Sequence, residues 1–203
     1  PPISPFEKPS SLVYSSPKPT QPESNTIGEA RFNPKNSVVI VFLLAILVFV
    51  FNIVLHQPEI PPNTGNIIRL CANTGARLHL IHPLGFVMTK KNLERAALDY
   101  GESVEVIHHK NFEAFLSETS TKKYYSVSTK GEALMNKNII EPGDYLMFGS
   151  ETKGLPQKCL NHDRCKGRIR IPMADGSRSL NLSNSVAILL YHALGQNDFT
   201  GLS

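Results

Sequence analysis

From residue 51 onward, short apolar runs alternate with amphipathic stretches of helical period. Short apolar runs predict buried strands, and apolar positions three and four residues apart predict helices. The predicted strands are residues 51–55, 77–81, 104–107, 123–127, 145–148 and 168–171. The first predicted helix is capped by Asn63 or Thr64 and ends at Gly75. The other predicted helices are residues 92–100, 111–118 and 183–194. Alternation of strands and helices indicates an α/β domain with a mostly parallel sheet flanked by helices.

The chain before this domain has a different composition. Residues 1–36 hold about half of the 15 prolines and few apolar residues, which predicts a disordered tail. Residues 37–50 form an apolar segment, interpreted either as a membrane anchor or as a hydrophobic extension from a mis-extended start. Together with the first strand, the run 38–55 has about 18 residues, near the lower limit for a membrane span. If residues 51–55 form a strand of the 51–203 domain, the remainder is too short, so membrane contact is the less favoured interpretation.

Charge and cysteine content narrow the picture only slightly. A net charge of +4 and a pI near 9.0 suit an RNA partner, although many proteins with other roles are as basic. Three cysteines do not make a disulfide framework and suit a reducing cytoplasm. Cys159, His162 and Cys165 lack the second ligand pair of a zinc site, so we expect no metal there and interpret the segment as a polar surface loop. His108 and His109 are interpreted as an exposed pair without a chemical role.

Two loops that follow predicted strands are unusual in composition. Residues 58–69 place Pro, Asn and Gly before a helix and end in Arg69. A helix N-terminus favours anions and arginine suits phosphate, although a well-capped helix with a solvated arginine would look the same. Residues 143–156 leave a strand through Gly149, Glu151 and Gly154. Ligands of α/β sheets bind beyond strand carboxyl ends, and glycine allows close approach; the alternative is a tight turn without a ligand.

A third loop, residues 169–186, leads from a strand to a helix capped by Asn181 or Ser183. It carries more Ser and Asn side chains than one helix cap requires. We interpret the excess as hydrogen-bonding partners for a ligand or for a crossing segment of the chain.

These three loops, in this order, resemble the signature motifs of the SpoU-like SPOUT methyltransferases. The stretches N-I-V-L-H-Q-P-E-I-P-P-N-T-G-N-I-I-R (52–69), D-Y-L-M-F-G-S-E-T-K-G-L-P (144–156) and I-R-I-P-M-A-D-G-S-R-S-L-N-L-S-N (169–184) carry the resemblance. Within that family they look like the tRNA (cytidine/uridine-34)-2'-O-methyltransferases. The resemblance covers about residues 51–195, and residues 1–50 have no counterpart in the smallest members.

The resemblance implies a SPOUT fold with a deep C-terminal trefoil knot that holds S-adenosylmethionine. It also implies a homodimer in the cytoplasm whose active site is completed across the interface, with a tRNA anticodon stem-loop as substrate. By motif position, the residues assigned to the cofactor are Val127, Gly149, Glu151, Gly154, Leu155, Ile171, Ser179, Leu180 and Asn184.

The implied reaction moves a methyl group from the sulfonium to the ribose 2'-hydroxyl of nucleotide 34. No metal is needed, because a neutral thioether departs. Arg69 is the first catalytic candidate. A guanidinium is normally protonated, so anchoring a phosphate and orienting the hydroxyl suits it better than acting as a base. The residues assigned to geometry are Asn63, Asn181 and Ser183, and those assigned to RNA contact are Arg178 and Tyr191. A core tyrosine is an equally good interpretation of Tyr191.

Three other functions remain open from the sequence. The first is a SPOUT methyltransferase for ribosomal RNA or another tRNA position. The second is a catalytically silent RNA-binding protein, against which the intact Arg69, Glu151 and Asn181 speak. The third is a membrane-anchored module with residues 38–55 as its span.

Overall fold

The computed structural model describes residues 50–88, 105–119 and 122–203. The predicted tail, nearly all of the 37–50 segment and the predicted helix 92–100 lie outside these ranges. The strands are β1 Asn52–His56, β2 Arg77–Ile81, β3 Val106–His109, β4 Tyr124–Val127, β5 Ala133–Leu134, β6 Tyr145–Phe148 and β7 Cys165–Arg170. The helices are α1 Pro61–Thr74, α2 Phe112–Glu118, α3 Gln157–Leu160 and α4 Leu182–Gln196, with a 3-10 turn at Met135–Lys137.

The described strands form one sheet in the order β3-β2-β1-β6-β4-β7-β5, and every neighbouring pair is parallel. The predicted α/β domain with a parallel sheet is therefore confirmed. Phe148 of β6 lies level with Leu55 of β1 and Val127 of β4, and Val127 in turn pairs with Ile169 of β7. This register brings the carboxyl ends of four strands to one edge, although they are far apart in the chain.

The four central strands β2, β1, β6 and β4 are buried on both faces, as strands of parallel sheets usually are. Alternate β1 residues serve the two faces: Ile53 and Leu55 belong to one core cluster and Val54 to the other. The first cluster packs the apolar sides of α1 and α4 on the sheet, and the second packs α2 and α3 on the opposite face. Phe51 and β1 lie wholly within this core, so residues 51–55 belong to the domain. Within the part of the chain that the structure describes, no helix is both long and apolar enough to cross a membrane.

Helix α1 begins differently from the prediction. Its N-cap is Ile60, which makes no side-chain cap, and Pro61 and Pro62 occupy the first turn. The predicted capping by Asn63 or Thr64 is wrong, because prolines are favoured at the first helical position and their missing N–H groups need no acceptor. The predicted end is confirmed, since Gly75 has a left-handed φ of 68°.

Other boundaries differ modestly. Asn181, one of the two predicted caps of the last helix, is the N-cap of α4, with its side chain accepting hydrogen bonds from Ser183 N and Asn184 N. Strand β7 begins three residues before its predicted start. The sequence patterns missed β5, the 3-10 turn and α3, which are all four residues or shorter. Such short elements carry too little periodicity to be recognised.

Two residues that were predicted to lie on the surface, His109 and Cys159, are buried on the face of the sheet that α2 and α3 cover. His109 is only 1% exposed, and its ring stacks on that of His79 at a centroid distance of 5.2 Å. Adjacent residues of a strand face opposite sides, so His109 is buried while His108 is exposed, and the predicted exposed pair is wrong for His109. The predicted polar surface loop is wrong for Cys159, which is fully buried, whereas Asn161 and Asp163 are exposed as predicted. Burial raises the pKa of the Cys159 thiol to about 12. Across the described residues, no group of three His, Cys, Asp or Glu side chains could hold a metal ion.

His79 gives the fold a testable pH dependence. Burial, followed by the charges of His109 and Arg77, lowers the pKa of His79 to about 4. Between pH 6.5 and about 4 the unfolded chain binds a proton that the folded chain does not, so stability falls as pH falls through this window. Over the whole window, the free energy of unfolding falls by about 3 kcal/mol. We expect His79→Gln to flatten the fall in urea midpoint between pH 7 and pH 5. Equal slopes in the variant and the wild type would contradict this assignment.

Candidate active site at the carboxyl edge of the sheet

A cavity of about 730 Å³ lies beyond the carboxyl ends of β4, β6 and β7. Its walls come from three loops: the β4–β5 loop (residues 128–132), the β6–α3 loop (149–156) and the β7–α4 loop (171–181). A fourth wall is the entry to α1, through Ile60 and Asn63. The lining includes these residues singled out from the sequence: Asn63, Val127, Gly149, Glu151, Gly154, Leu155, Ile171, Arg178, Ser179, Leu180 and Asn181.

The β6–α3 loop folds back tightly on itself. Gly154 has a φ of 65° and donates its N–H to Ser150 O at 2.9 Å. Gly149 lies against this returning strand of chain, so a Cβ at Gly149 would overlap the backbone of Gly154 and Leu155. The loop therefore requires glycine at both positions, for close approach at one and for backbone conformation at the other.

Glu151 joins this loop to the start of α1. Its carboxylate accepts hydrogen bonds from Glu59 N at 2.8 Å, Ile60 N at 3.3 Å and Asn63 Nδ2 at 2.9 Å. A carboxylate is favourable beside a helix N-terminus, and it supplies the acceptor that the side-chain cap does not. Asn63 is 5% exposed, and it is held for this contact rather than for capping.

Asn63 also makes a hydrogen bond with the N-cap residue of α4, Asn181. Asn63 Oδ1 accepts this hydrogen bond from Asn181 Nδ2 at 2.9 Å. Asn181 Oδ1 in turn accepts from Ser183 N at 2.9 Å, Ser183 Oγ at 2.7 Å and Asn184 N at 3.3 Å. One chain of hydrogen bonds thus connects all three loops that the sequence singled out, and we name Glu151, Asn63 and Asn181 the site network.

Four of the predicted site residues stand apart from the cavity. Arg69, Ser183, Asn184 and Tyr191 are not among its lining residues. Arg69 lies further along α1, and its Nε is buried without a hydrogen-bond partner in the described part of the chain. Tyr191 is 47% exposed on α4, so it is not a core tyrosine.

The structure adds lining residues that the sequence interpretation passed over. Ser128, Thr129 and Lys130 line the cavity from the β4–β5 loop. The sequence could have indicated them, because they directly follow a predicted strand, and ligands bind beyond the carboxyl ends of parallel strands. Lys130, Lys153 and Arg178 all reach the lining, and no ion pair of theirs is found within the described residues. Their charges are available to an anionic ligand.

Comparison with known proteins identifies the family of the chain. Residues 50–191 match the SpoU rRNA Methylase family, and this match covers well over half of the chain. The chain therefore belongs to the SpoU methylase family.

Several known proteins are similar to this chain over about three quarters of its length. A tRNA (cytidine(34)-2'-O)-methyltransferase of Saccharophagus degradans is 52% identical over 151 residues, which are 74% of this chain and 98% of that protein. A solved structure described as "Structural insights into the 2-OH methylation of C/U34 on tRNA" is 39% identical, with a TM-score of 0.70, and covers 74% of this chain and 98% of its own. The SpoU methyltransferase AviRb from Streptomyces viridochromogenes, in complex with the cofactor AdoMet, has a TM-score of 0.67. At 22% identity, over 74% of this chain and 58% of its own, it supports the fold alone.

The close approach at Gly149 predicts a sharp intolerance. We expect Gly149→Ala to force the β6–α3 loop open, because the added methyl group overlaps backbone rather than a movable side chain. Binding of S-adenosylmethionine, measured by calorimetry, should weaken by at least about tenfold, which is about 1.4 kcal/mol. Gly167→Ala is the matched control, because a Cβ there meets only the Tyr125 ring at ordinary contact distance. Comparable affinities for the two variants would contradict the role of Gly149.

Proposed function

We propose that this chain transfers a methyl group from S-adenosylmethionine to the ribose 2'-hydroxyl of nucleotide 34, a cytidine or uridine, in tRNA. The observation that carries the proposal is the site network, which joins three loops up to 118 residues apart at one cavity. The similarity to tRNA (cytidine(34)-2'-O)-methyltransferases over nearly their whole length supports the substrate. A tRNA substrate in turn supports a cytoplasmic location.

The cavity suits S-adenosylmethionine in size and lining. Its volume falls within the roughly 300–1,000 Å³ of small-molecule sites. Apolar side chains of Val127, Leu155, Ile171 and Leu180 offer a surface for a flat ring, and Gly149 lets the ligand approach the backbone. Glu151, Gly154 and Ser179 would complete the binding site. Asn184, in the first turn of α4, would act from just outside the lining by supporting its loop.

The bound cofactor supplies an electrophilic methyl group with a neutral thioether as leaving group. The chain must hold the ribose in line with that methyl group and allow the hydroxyl proton to leave. In the proposal, Asn63 and Asn181 fix the wall against which the ribose is placed, and Ser183 holds Asn181 in its orientation. Arg69 anchors a phosphate and orients the 2'-hydroxyl, since its guanidinium stays protonated.

The position of Arg69 supports a homodimer. Arg69 lies outside the cavity of its own chain, while α4 presents Ile188 and Tyr191 at 38% and 47% exposure, with Phe199 packed beside Tyr191. Exposed apolar side chains along one helix are typical of interaction sites. In the proposal, a second copy of the chain covers this face. Arg69 of each copy then lies at the cavity of the other copy.

Two further features belong to the proposal. The first is the C-terminal trefoil knot. It is supported by membership in the SpoU methylase family, and the β4–β5 loop lies close to β7, since a Cβ at Gly131 would be 2.6 Å from the Ile169 carbonyl carbon. The second is contact with the anticodon stem-loop. Lys130, Lys153 and Arg178 at the cavity, together with Tyr191, offer cations for phosphates and a ring for base stacking.

Methyl transfer to tRNA is the direct test. The full chain, incubated with labelled S-adenosylmethionine and bulk tRNA, should yield a 2'-O-methyl nucleotide at position 34 on nucleoside mapping. Ribosomal RNA, supplied in parallel, should remain unlabelled. Label in ribosomal RNA or at another tRNA position would replace the proposed substrate, and binding of cofactor and tRNA without transfer would indicate a silent RNA-binding protein.

Arg69 should separate catalysis from cofactor binding. We expect Arg69→Ala to bind S-adenosylmethionine within about twofold of wild type, because Arg69 does not line the cavity of its own chain and is proposed to hold a phosphate of the RNA. Methyl transfer should fall by a factor of about a hundred or more. Arg77→Ala is the control, since Arg77 makes an ion pair with Glu105 at the opposite edge of the sheet. Equal losses of binding and transfer in Arg69→Ala would mean that Arg69 supports the fold instead.

A further inference from the structure

Glu59 makes a second, reciprocal contact between the entry to α1 and the β6–α3 loop. Its carboxylate accepts hydrogen bonds from Thr152 N at 3.2 Å and from Thr152 Oγ1 at 2.7 and 2.9 Å. Its own N–H donates to Glu151 Oε2 at 2.8 Å. Neighbouring residues of one loop, Glu151 and Thr152, thus hold the two ends of a single residue in the other.

The carboxylates of Glu59 and Glu151 have no cationic partner among the described residues. Within that part of the chain, every hydrogen bond to the two carboxylates comes from a neutral group. Hydrogen bonds to a charged acceptor are stronger and shorter than neutral ones, so the neutral donors placed around each carboxylate hold it in this pair of loops. A surface glutamate without a structural role would not need such an arrangement.

The backbone behind Glu59 is also fixed. A Cβ at Gly85 would lie 2.8 Å from Glu59 Cα, and Gly85 N donates to Pro58 O at 2.9 Å. The segment after β2 therefore packs directly against the residue, and Glu59 cannot retreat on that side.

Thr152 and Ile60, on either side of this contact, both line the cavity, while Glu59 itself does not. We infer that Glu59 is a positioning residue, which holds the β6–α3 loop closed on the entry to α1 and so keeps the cofactor wall formed before the ligand arrives. The inference rests on the proposed function only for the identity of that ligand. A wall that is already ordered does not have to be ordered by binding, which strengthens affinity.

The effect should appear in cofactor affinity rather than in the chemical step. Binding of labelled S-adenosylmethionine to the full chain is measured by equilibrium dialysis for Glu59→Ala, Glu59→Gln, Thr152→Val and Thr152→Ser. We expect Glu59→Ala to weaken binding roughly tenfold, because the hydrogen bonds to Thr152 are lost. Thr152→Val, which keeps the backbone N–H, and Glu59→Gln, which keeps one acceptor oxygen, should each weaken binding by roughly two- to fourfold. Thr152→Ser should bind as wild type.

Two measurements distinguish positioning from general stability. Glu105→Ala is the matched control, because Glu105 also makes one side-chain contact but lies at the far edge of the sheet. Its affinity should equal that of wild type, and its melting temperature should lie close to that of Glu59→Ala. The double variant Glu59→Ala/Thr152→Val should bind no more weakly than Glu59→Ala, since the hydroxyl acts through the carboxylate. At saturating cofactor, Glu59→Ala should keep kcat for tRNA and raise only KM for S-adenosylmethionine.

Several outcomes would overturn the inference. Wild-type affinity in Glu59→Ala would show that the loop stays closed without the contact, and additive losses in the double variant would show that Thr152 acts independently. A large fall in the melting temperature of Glu59→Ala relative to Glu105→Ala would make Glu59 a fold residue. The proposed substrate fails separately: a wild-type chain that binds the cofactor but does not methylate tRNA leaves the dialysis comparison valid.

Discussion

The carboxylate of Glu151 stands where the sheet edge, the entry to α1 and the cavity meet. Helix α1 starts with two prolines and has no side-chain cap, so its approach loop presents the N–H groups of Glu59 and Ile60 without a local acceptor. Glu151 supplies that acceptor from the other side of the site and takes Asn63 as a third donor. The geometry of α1 therefore depends on the β6–α3 loop, and through Asn63 the geometry of α4 depends on it too.

This dependence is possible because of the strand order. Strands β1 and β6 are neighbours in the sheet although more than 80 residues separate them, and Phe148, the last residue of β6, pairs with Leu55 near the end of β1. Because the two strands are parallel, Glu59, three residues after β1, and Glu151, three residues after β6, lie at the same edge of the sheet. The apolar residues that bury both faces of the sheet hold this register, because a one-residue slip would exchange the two faces. The polar site is thus positioned by packing on either side of it.

The sequence patterns predicted most of this scaffold. Residues 77–81 and 145–148 were predicted to the residue, because a short apolar run in an α/β protein has few alternatives to a buried strand. Strand β5 was missed, since two residues carry no period and its pairing with β7 depends on a distant segment. His109 was misplaced for a related reason: its burial follows from the packing of α2 on the sheet, which local polarity does not reveal.

The site was predicted in part for reasons of the same kind. The glycines of the β6–α3 loop and the Asn181 cap obey local rules and were recognised from the sequence alone. Asn63 was assigned both to the site, from the resemblance, and to a helix cap, from its position in the chain. The cap is wrong, because a contact 88 residues away takes its side chain. The Glu59–Thr152 contact was not noticed, because neither residue is unusual among its neighbours in the chain. Residue types that serve a tertiary contact cannot be told from solvated ones until the partner is known.

The long separations in the site network also bear on how the protein matures during synthesis. The contact between Glu59 and Glu151 spans 92 residues, and that between Asn63 and Asn181 spans 118. Contacts of this kind form late, because loop closure must precede them. A nascent chain can complete β1 and β2 early, but the N–H groups of Glu59 and Ile60 have no carboxylate acceptor until Glu151 has emerged after β6. Asn63 then lacks its second partner until Asn181 has docked. A ribosome-bound chain that ends before Asn181 therefore holds most of the sheet and none of the finished site, so newly made protein cannot bind a ligand there until Asn181 has been added and has reached Asn63.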